Sequence, residues 1–296
     1  MSKPVQPDQG GEKETRGIGG FLRSLLHGIP WSESAHAKST FILDPPSSRR
    51  LAIHNANGRT RVVGEERDDI EVSVEKHARA ESVEAAEAVL DEIDVVSDEV
   101  AGSLELDVEA PSRWQRHGSA NLCVRVPRDI EVAVVAANGR VCMEGLRCAA
   151  LARSSNGPVT ISDIIGDVQV FTSNAKVSCS CTRGHLKARS SNSKILLDRH
   201  SGSVDASTSN GVIHAVLSEI GREGIVLATS NGRIMLELPD HVDGDVDVRV
   251  DNGVIRNSLD IEQATADERT GRLRGRLGRG GIPIKLRTSN GTVSLR

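Results

Sequence analysis

Four groups of residues in this 296-residue chain could do chemistry: thiols, imidazoles, carboxylates and a glycine-spaced run of arginines. Cys179-Ser180-Cys181 is the tightest thiol pair, but it lacks the two-residue spacer of a redox or zinc motif. Cys123, Cys142 and Cys148 supply no second pair, so the five thiols read as reduced core or turn residues. The nine histidines form neither HxxxH nor HExxH, and no GxSxG, phosphate-binding loop or dinucleotide fingerprint occurs. No metal, cofactor or catalytic residue is therefore expected. The stretch ADERTGRLRGRLGRGG places Arg272, Arg274, Arg276 and Arg279 among glycines. It reads either as an anion contact or as a solvated insertion over 258–281, and it has no interleaved aromatics to stack bases. Near the N-terminus, Ile18, Phe21, Leu22, Leu25, Leu26 and Ile29 recur at helical spacing, with Pro30 and Trp31 closing the run. That is one face of an amphipathic helix over 18–30, able to lie on a membrane interface or a protein surface. So short a helix needs such a surface to form.

The bulk properties narrow the classes further. The chain has 37 basic and 41 acidic residues, a net charge of −4, which argues against a whole-domain nucleic-acid binder. With three Phe, two Trp and no Tyr it lacks the aromatic platforms of sugar and peptide clefts. No window approaches a membrane span, and the N-terminal residues do not read as a secretory signal. The expected location is cytoplasmic, with peripheral membrane attachment as the variant that residues 18–31 allow.

The elements that must position all this are set by a repeat. Asn138, Asn156, Asn174, Asn192 and Asn210 are spaced by 18, Asn231 and Asn252 follow at 21, and Asn290 comes later. Three residues after each stands Val141, Val159, Val177, Ile195, Ile213, Ile234, Ile255 or Val293, all β-branched. Five residues after come Met143, Ile161, Cys179, Leu197, Ala215, Leu236 and Leu295, with Asn257 as the exception. Six and four before lie pairs such as Val132/Val134, Val168/Val170 and Ile284/Leu286. Each unit is thus strand, turn, strand, turn, with one face of each strand buried. Leu51, Ile53, Thr60 and Val62 obey the same rule around Asn57. Equal unit length favours a parallel β-solenoid over hairpins, because only a coil needs like residues stacked on like. The Asn is expected to turn the corner, in the left-handed region that Asn and Gly tolerate, and to bond its neighbours up and down the axis. The Thr or Ser before it (Thr172, Ser190, Thr208, Thr229, Thr288) is expected to form a parallel hydroxyl ladder.

The recurring TSNG-x-[VI] phrases, ending in LRTSNGTVSLR, resemble the bacterial DUF4097 family of adhesin candidates, as do LAIHNANGRTRVVG and ARAESVEAAEAVLDEIDV. The resemblance spans about residues 40–296. It implies a β-solenoid and carries over no catalytic residues.

The expected organisation is an N-terminal segment over 1–39, then strands and a capping helix over 40–130, the helix at 79–92. Solenoid rungs of 18–21 residues follow over 131–296, interrupted at 258–281. The class is all-β, a parallel β-solenoid with an N-terminal cap containing one α-helix. A β-solenoid enzyme acting on polysaccharide would stack carboxylates in register, yet Asp163, Asp167, Asp198 and Asp205 fall at different offsets. The favoured function is a non-catalytic scaffold that binds a protein partner, itself or a membrane surface. An adhesin-type surface binder is the alternative, and a carbohydrate-active enzyme ranks below both.

Overall fold

The computed structural model describes residues 33–111, 117–267 and 271–296, with backbone only for 263–267. Residues 18–31 lie outside the described residues.

Val, Ile, Leu and Ala at alternate positions give every repeat two short strands whose inward side chains meet across a narrow core. Val159 and Ile161 pack with Val168 and Val170, each at most 1% exposed. Strands pair with their equivalents one unit later, in parallel and in register: Ala150 with Val168, Val159 with Val177, Val177 with Ile195. All the expected inward pairs are buried, except Ile255 and Asn257. The regular stack begins earlier than residue 131, since Leu51 pairs with Val132 and Thr60 with Val141.

The last units do not stack in chain order. The strand Pro283–Leu295 lies between its two predecessors: Asn290 pairs with Asn231 on one side and with Asn252 on the other. The order of rungs along the axis is therefore Asn57, 138, 156, 174, 192, 210, 231, 290, 252. The interruption expected over 258–281 is what permits this. Strands Glu262–Asp267 and Arg272–Leu277 pair antiparallel with each other, and the second runs antiparallel along Gly244–Arg249. They cover that edge before the chain returns to insert its final strand. The sheet is thus mixed: its rungs are parallel and its caps antiparallel.

At the other end, strands Glu33–Leu43, Ile70–Ala80 and Gly118–Pro127 pair antiparallel as a second cap. The helix is shorter than expected, Val83–Asp91. The Ser82 hydroxyl accepts from the Ala85 N–H, and Ala86, Val89 and Leu90 are buried. Val83 opens the first turn and is 44% exposed, although its spacing from Ala86 and Leu90 would put it on the same face. An N-cap of this kind contributes about 1 kcal/mol.

A third inward column went unread in the sequence. Eight residues after Asn138, Asn156, Asn174 and Asn192 stand Leu146, Ile164, Thr182 and His200, all buried, and Leu217 pairs with His200 in the next rung. They fill the second corner.

Candidate functional site

The Asn corner is the longest continuous feature of the molecule. Each amide donates to the carbonyl oxygen of the one below: Asn138 to Asn57 at 2.9 Å, Asn156 to Asn138 at 2.9 Å, Asn174 to Asn156 at 3.0 Å and Asn192 to Asn174 at 3.0 Å. The run continues from Asn210 to Asn192 at 3.1 Å and from Asn231 to Asn210 at 2.9 Å. It closes from Asn290 to Asn231 at 2.8 Å and from Asn252 to Asn290 at 3.1 Å. The inserted C-terminal strand is thus a full member of the ladder.

Two details of the corner differ from expectation. No ladder asparagine has positive φ. The left-handed residue sits seven positions later, at the second corner: Gly145 (φ 76°), Asp163 (49°), Cys181 (51°) and Arg199 (50°). Glycine follows most of the asparagines for two other reasons: Gly58, Gly253 and Gly291 take positive φ (126°, 153° and 151°), and the rungs lie so close that a Cβ on Gly157 would stand 1.7 Å from the Gly139 carbonyl oxygen. The hydroxyls, too, do not bond one another. Thr208 donates to the Ser193 carbonyl (3.2 Å), and Thr229 to that of Gly211 (3.4 Å). They point inward, where the neighbouring corner's backbone oxygen is within reach and the next hydroxyl is not bonded.

Two residues beyond each Asn the side chains are exposed or half-buried, and they form a pattern that the sequence alone did not bring out. In stacking order this column reads Arg59, Arg140, Pro158, Lys176, Lys194, Val212, Arg233, Thr292 and Val254. The five cations are exposed, and none has a carboxylate partner among the described ion pairs. Counting two residues on from each repeated Asn is the signal that would have found them. The four corner positions, from one before each Asn to two after, contain no acid over the first eight rungs. Asp251 on the ninth is paired with Arg249 at 3.0 Å. The second corner is mixed, with Glu144, Asp163, Asp167, Asp198, Glu219 and Glu223 among its residues. A chain of net charge −4 thus carries one ridge of uniform positive sign.

The arginine run does not make a free cationic loop. Arg272 and Arg274 both pair with Asp247 (2.8 and 3.1 Å), Arg276 lies 3.7 Å from Asp245, and Arg279 binds Asp243 at 2.8 Å. Antiparallel pairing with Gly244–Arg249 brings these charges together. Hydrogen bonds from Arg272, and then Arg274, hold the Asp247 carboxyl below the usual range, and the Arg279 backbone N–H, then its guanidinium, do the same for Asp243. The positive charge is spent on seating the cap.

Several other chemistry-bearing residues are held by individual partners or by burial. Asp163 pairs with Arg147, Asp205 with Arg189 and Asp198 with Arg199, and Asp167 accepts from the His185 N–H. Burial pushes the Cys179 thiol up to about 12, so it is no nucleophile near neutral pH. His200 is buried, with Thr182 Oγ1 2.9 Å from its Nδ1 and the Ser203 carbonyl 3.3 Å from its Nε2. With Nε2–H donating to that carbonyl, Nδ1 accepts from the threonine. His36 and His77 face each other across the cap, their Nδ1 atoms 2.6 Å apart, so one donates to the other. Among the described residues no three metal-capable side chains converge.

A mixed sheet of short repeated rungs, stacked on an amide ladder and capped at its ends, is a β-solenoid of the Toastrack type. The chain belongs to the Toastrack DUF4097 family, whose pattern matches residues 48–296. It is similar in structure to an adhesin candidate from Bacteroides fragilis, with a TM-score of 0.50 at 12% identity over 88% of this chain and 97% of that one. An adhesin candidate from Parabacteroides distasonis gives 0.44 at 9% identity, over 89% and 97%. A candidate lipid-binding protein from the same organism gives 0.41 at 8%, over 88% and 97%. At 12% identity the likeness to the Bacteroides fragilis protein is one of fold. No curated protein matches the chain. Among the described residues no helix is long and apolar enough to cross a membrane.

Proposed function

We propose that this chain is a non-catalytic interaction scaffold that works at a membrane surface from the cytoplasmic side. The observation that carries the reading is the Asn corner, a ridge of nine rungs whose side chains are small, amide, cationic or short apolar, with Asp251 on the last rung as the one acid. A stack held by repeated identical bonds resists bending and presents one surface many times over. The separate pairing of the carboxylates around the second corner and cap supports a binding role over catalysis, which would draw acid and base together at one point. Residues 18–31 supply a second proposed contact, through Leu22, Leu25, Leu26 and their apolar neighbours. The adhesin candidates in the family favour an alternative, a binder on the outer cell surface.

Cell fractionation tests the reading. The full chain is expected in the membrane pellet, and Leu22→Asp with Leu26→Asp should shift it towards the soluble fraction. A wild-type chain that is wholly soluble and ignores liposomes contradicts the membrane part. Digestion of the chain by protease added to intact cells would favour the adhesin alternative.

A further inference from the structure

We infer that the column Arg59, Arg140, Lys176, Lys194 and Arg233 is the docking edge for a bilayer that carries anionic lipid head groups. The inference rests on the reading of the chain as a peripheral membrane scaffold, and it names the surface and the lipid chemistry.

Rungs of a sheet lie about 4.8 Å apart, so these five cations span six intervals, or roughly 29 Å, along a straight line. Arg59/Arg140 and Lys176/Lys194 stand on adjacent rungs, within the Debye length of about 8 Å at physiological ionic strength, and the gaps across Pro158 and Val212 are only slightly wider at about 10 Å, so their fields still overlap. The nearest acids on the same strands, Glu144, Asp198 and Glu237, stand four residues farther along. At about 3.3 Å per residue that is roughly 13 Å away, beyond the screening distance. Beyond the first rung, where Glu92, Asp94 and Glu109 share a cleft with Ala56 and Asn57, the ridge therefore acts as a line of positive charge despite the negative total.

What stands between the cations decides which anion suits it. Pro158 and Val212 are half-buried in the same column, and Val254, at its end, is 54% exposed. Apolar tips between cations suit an interface with glycerol and acyl groups beneath the charge; along a linear polyanion they would interrupt the contacts. The corner also offers no aromatic ring to stack a base or a sugar. The columns on either side of the Asn ladder carry Gly, Ala and Ser, apart from Asp251, so nothing bulky keeps a flat surface away.

The position of the chain's beginning agrees. Ser34 and His36 line one cleft together with Asn57, Gly58 and Asn138, the first rungs of the ridge. The described chain therefore starts beside this edge.

The test is co-sedimentation of the full chain with vesicles of phosphatidylcholine alone and with about a third phosphatidylserine. Wild type should bind the second and not the first. Reversing Arg140, Lys176 and Lys194 to Glu should weaken binding by about a hundred-fold or more, since each basic residue near such a surface adds about a factor of five. Lys176→Gln with Lys194→Gln, a milder pair, should give at least a ten-fold loss and guards against misfolding of the triple variant. Lys38→Glu, Arg183→Glu and Arg222→Glu change net charge equally from other places and should bind far better than the ridge triple. Equal loss in both triples would overturn the inference, because bulk charge would then suffice. So would wild-type binding to heparin or an oligonucleotide without binding to vesicles. Binding that is abolished by Leu22→Asp with Leu26→Asp but untouched by the ridge variants also overturns it, while leaving the membrane scaffold reading intact.

Discussion

Replacing Val293 by Asp should abolish cooperative folding, while Ile255→Asp should cost only about 1 kcal/mol. If the rungs stacked in chain order, Val293 would belong to the outermost rung and Ile255 to an interior one. Stacked as they are, Val293 is fully buried between two neighbours, and Ile255 is only partly covered in the rung at the end. A carboxylate at Val293 has no described partner and no water. Its cost is about 4 kcal/mol or more, against a typical total stability of about 5–15 kcal/mol. At Ile255 the same group reaches solvent. Urea denaturation of the two variants ranks them, and the reverse ranking would show that the final strand does not insert.

The second large effect is on pH dependence. Desolvation pushes the buried His200 imidazole down to about 4, with His185 adding a smaller effect of the same sign. In the unfolded chain it titrates near 6.5. Between those values the unfolded state holds a proton that the folded state refuses. The stabilising contribution is therefore complete above pH 6.5 and declines as pH falls to about 4. The slope is about 1.4 kcal/mol per pH unit, or roughly 3 kcal/mol in all. His200→Leu fits a column already occupied by Leu146, Ile164 and Leu217, and should remove that part of the slope. It leaves the Thr182 hydroxyl without its imidazole, so the variant should be less stable than wild type at pH 7 by about 1 kcal/mol. Urea midpoints measured from pH 7 to 4 give the comparison, and parallel curves for the two proteins would mean that His200 is not kept neutral.

The repeat was legible because parallel stacking ties side-chain identity to a fixed unit length. The inward pairs followed from period two and β-branching alone. The strand insertion was not read, although Asn257 pointed to it. An amide at a position otherwise filled by Met, Ile, Leu, Ala or Cys cannot sit in an interior rung. In the structure Asn257 is exposed, bonding Leu259 as the chain turns away. The left-handed corner was placed at Asn on propensity, but Asp163, Cys181 and Arg199 take that conformation, because the stacked rungs dictate the backbone whatever the residue. The arginine run left an anion contact open beside a solvated insertion because its partners, Asp243, Asp245 and Asp247, are about 30 residues away in sequence and meet it only through antiparallel pairing. The cationic ridge was hidden for a related reason: its members are 18 or more residues apart, and become a line only once the rungs are stacked.

The amide ladder is the central claim, and a denaturant melt of Asn192→Ala beside Ser193→Gly tests it most directly. Asn192 donates to Asn174 at 3.0 Å and accepts from Asn210 at 3.1 Å, so its loss breaks two bonds at once. All three residues are exposed, and water can partly replace those bonds, which sets the expected cost at about 1–2 kcal/mol. Ser193 stands where most rungs carry glycine, and its replacement by glycine should be nearly neutral. A harmless Asn192→Ala together with a marked effect of Ser193→Gly would contradict the ladder and leave the asparagines as a turn preference alone.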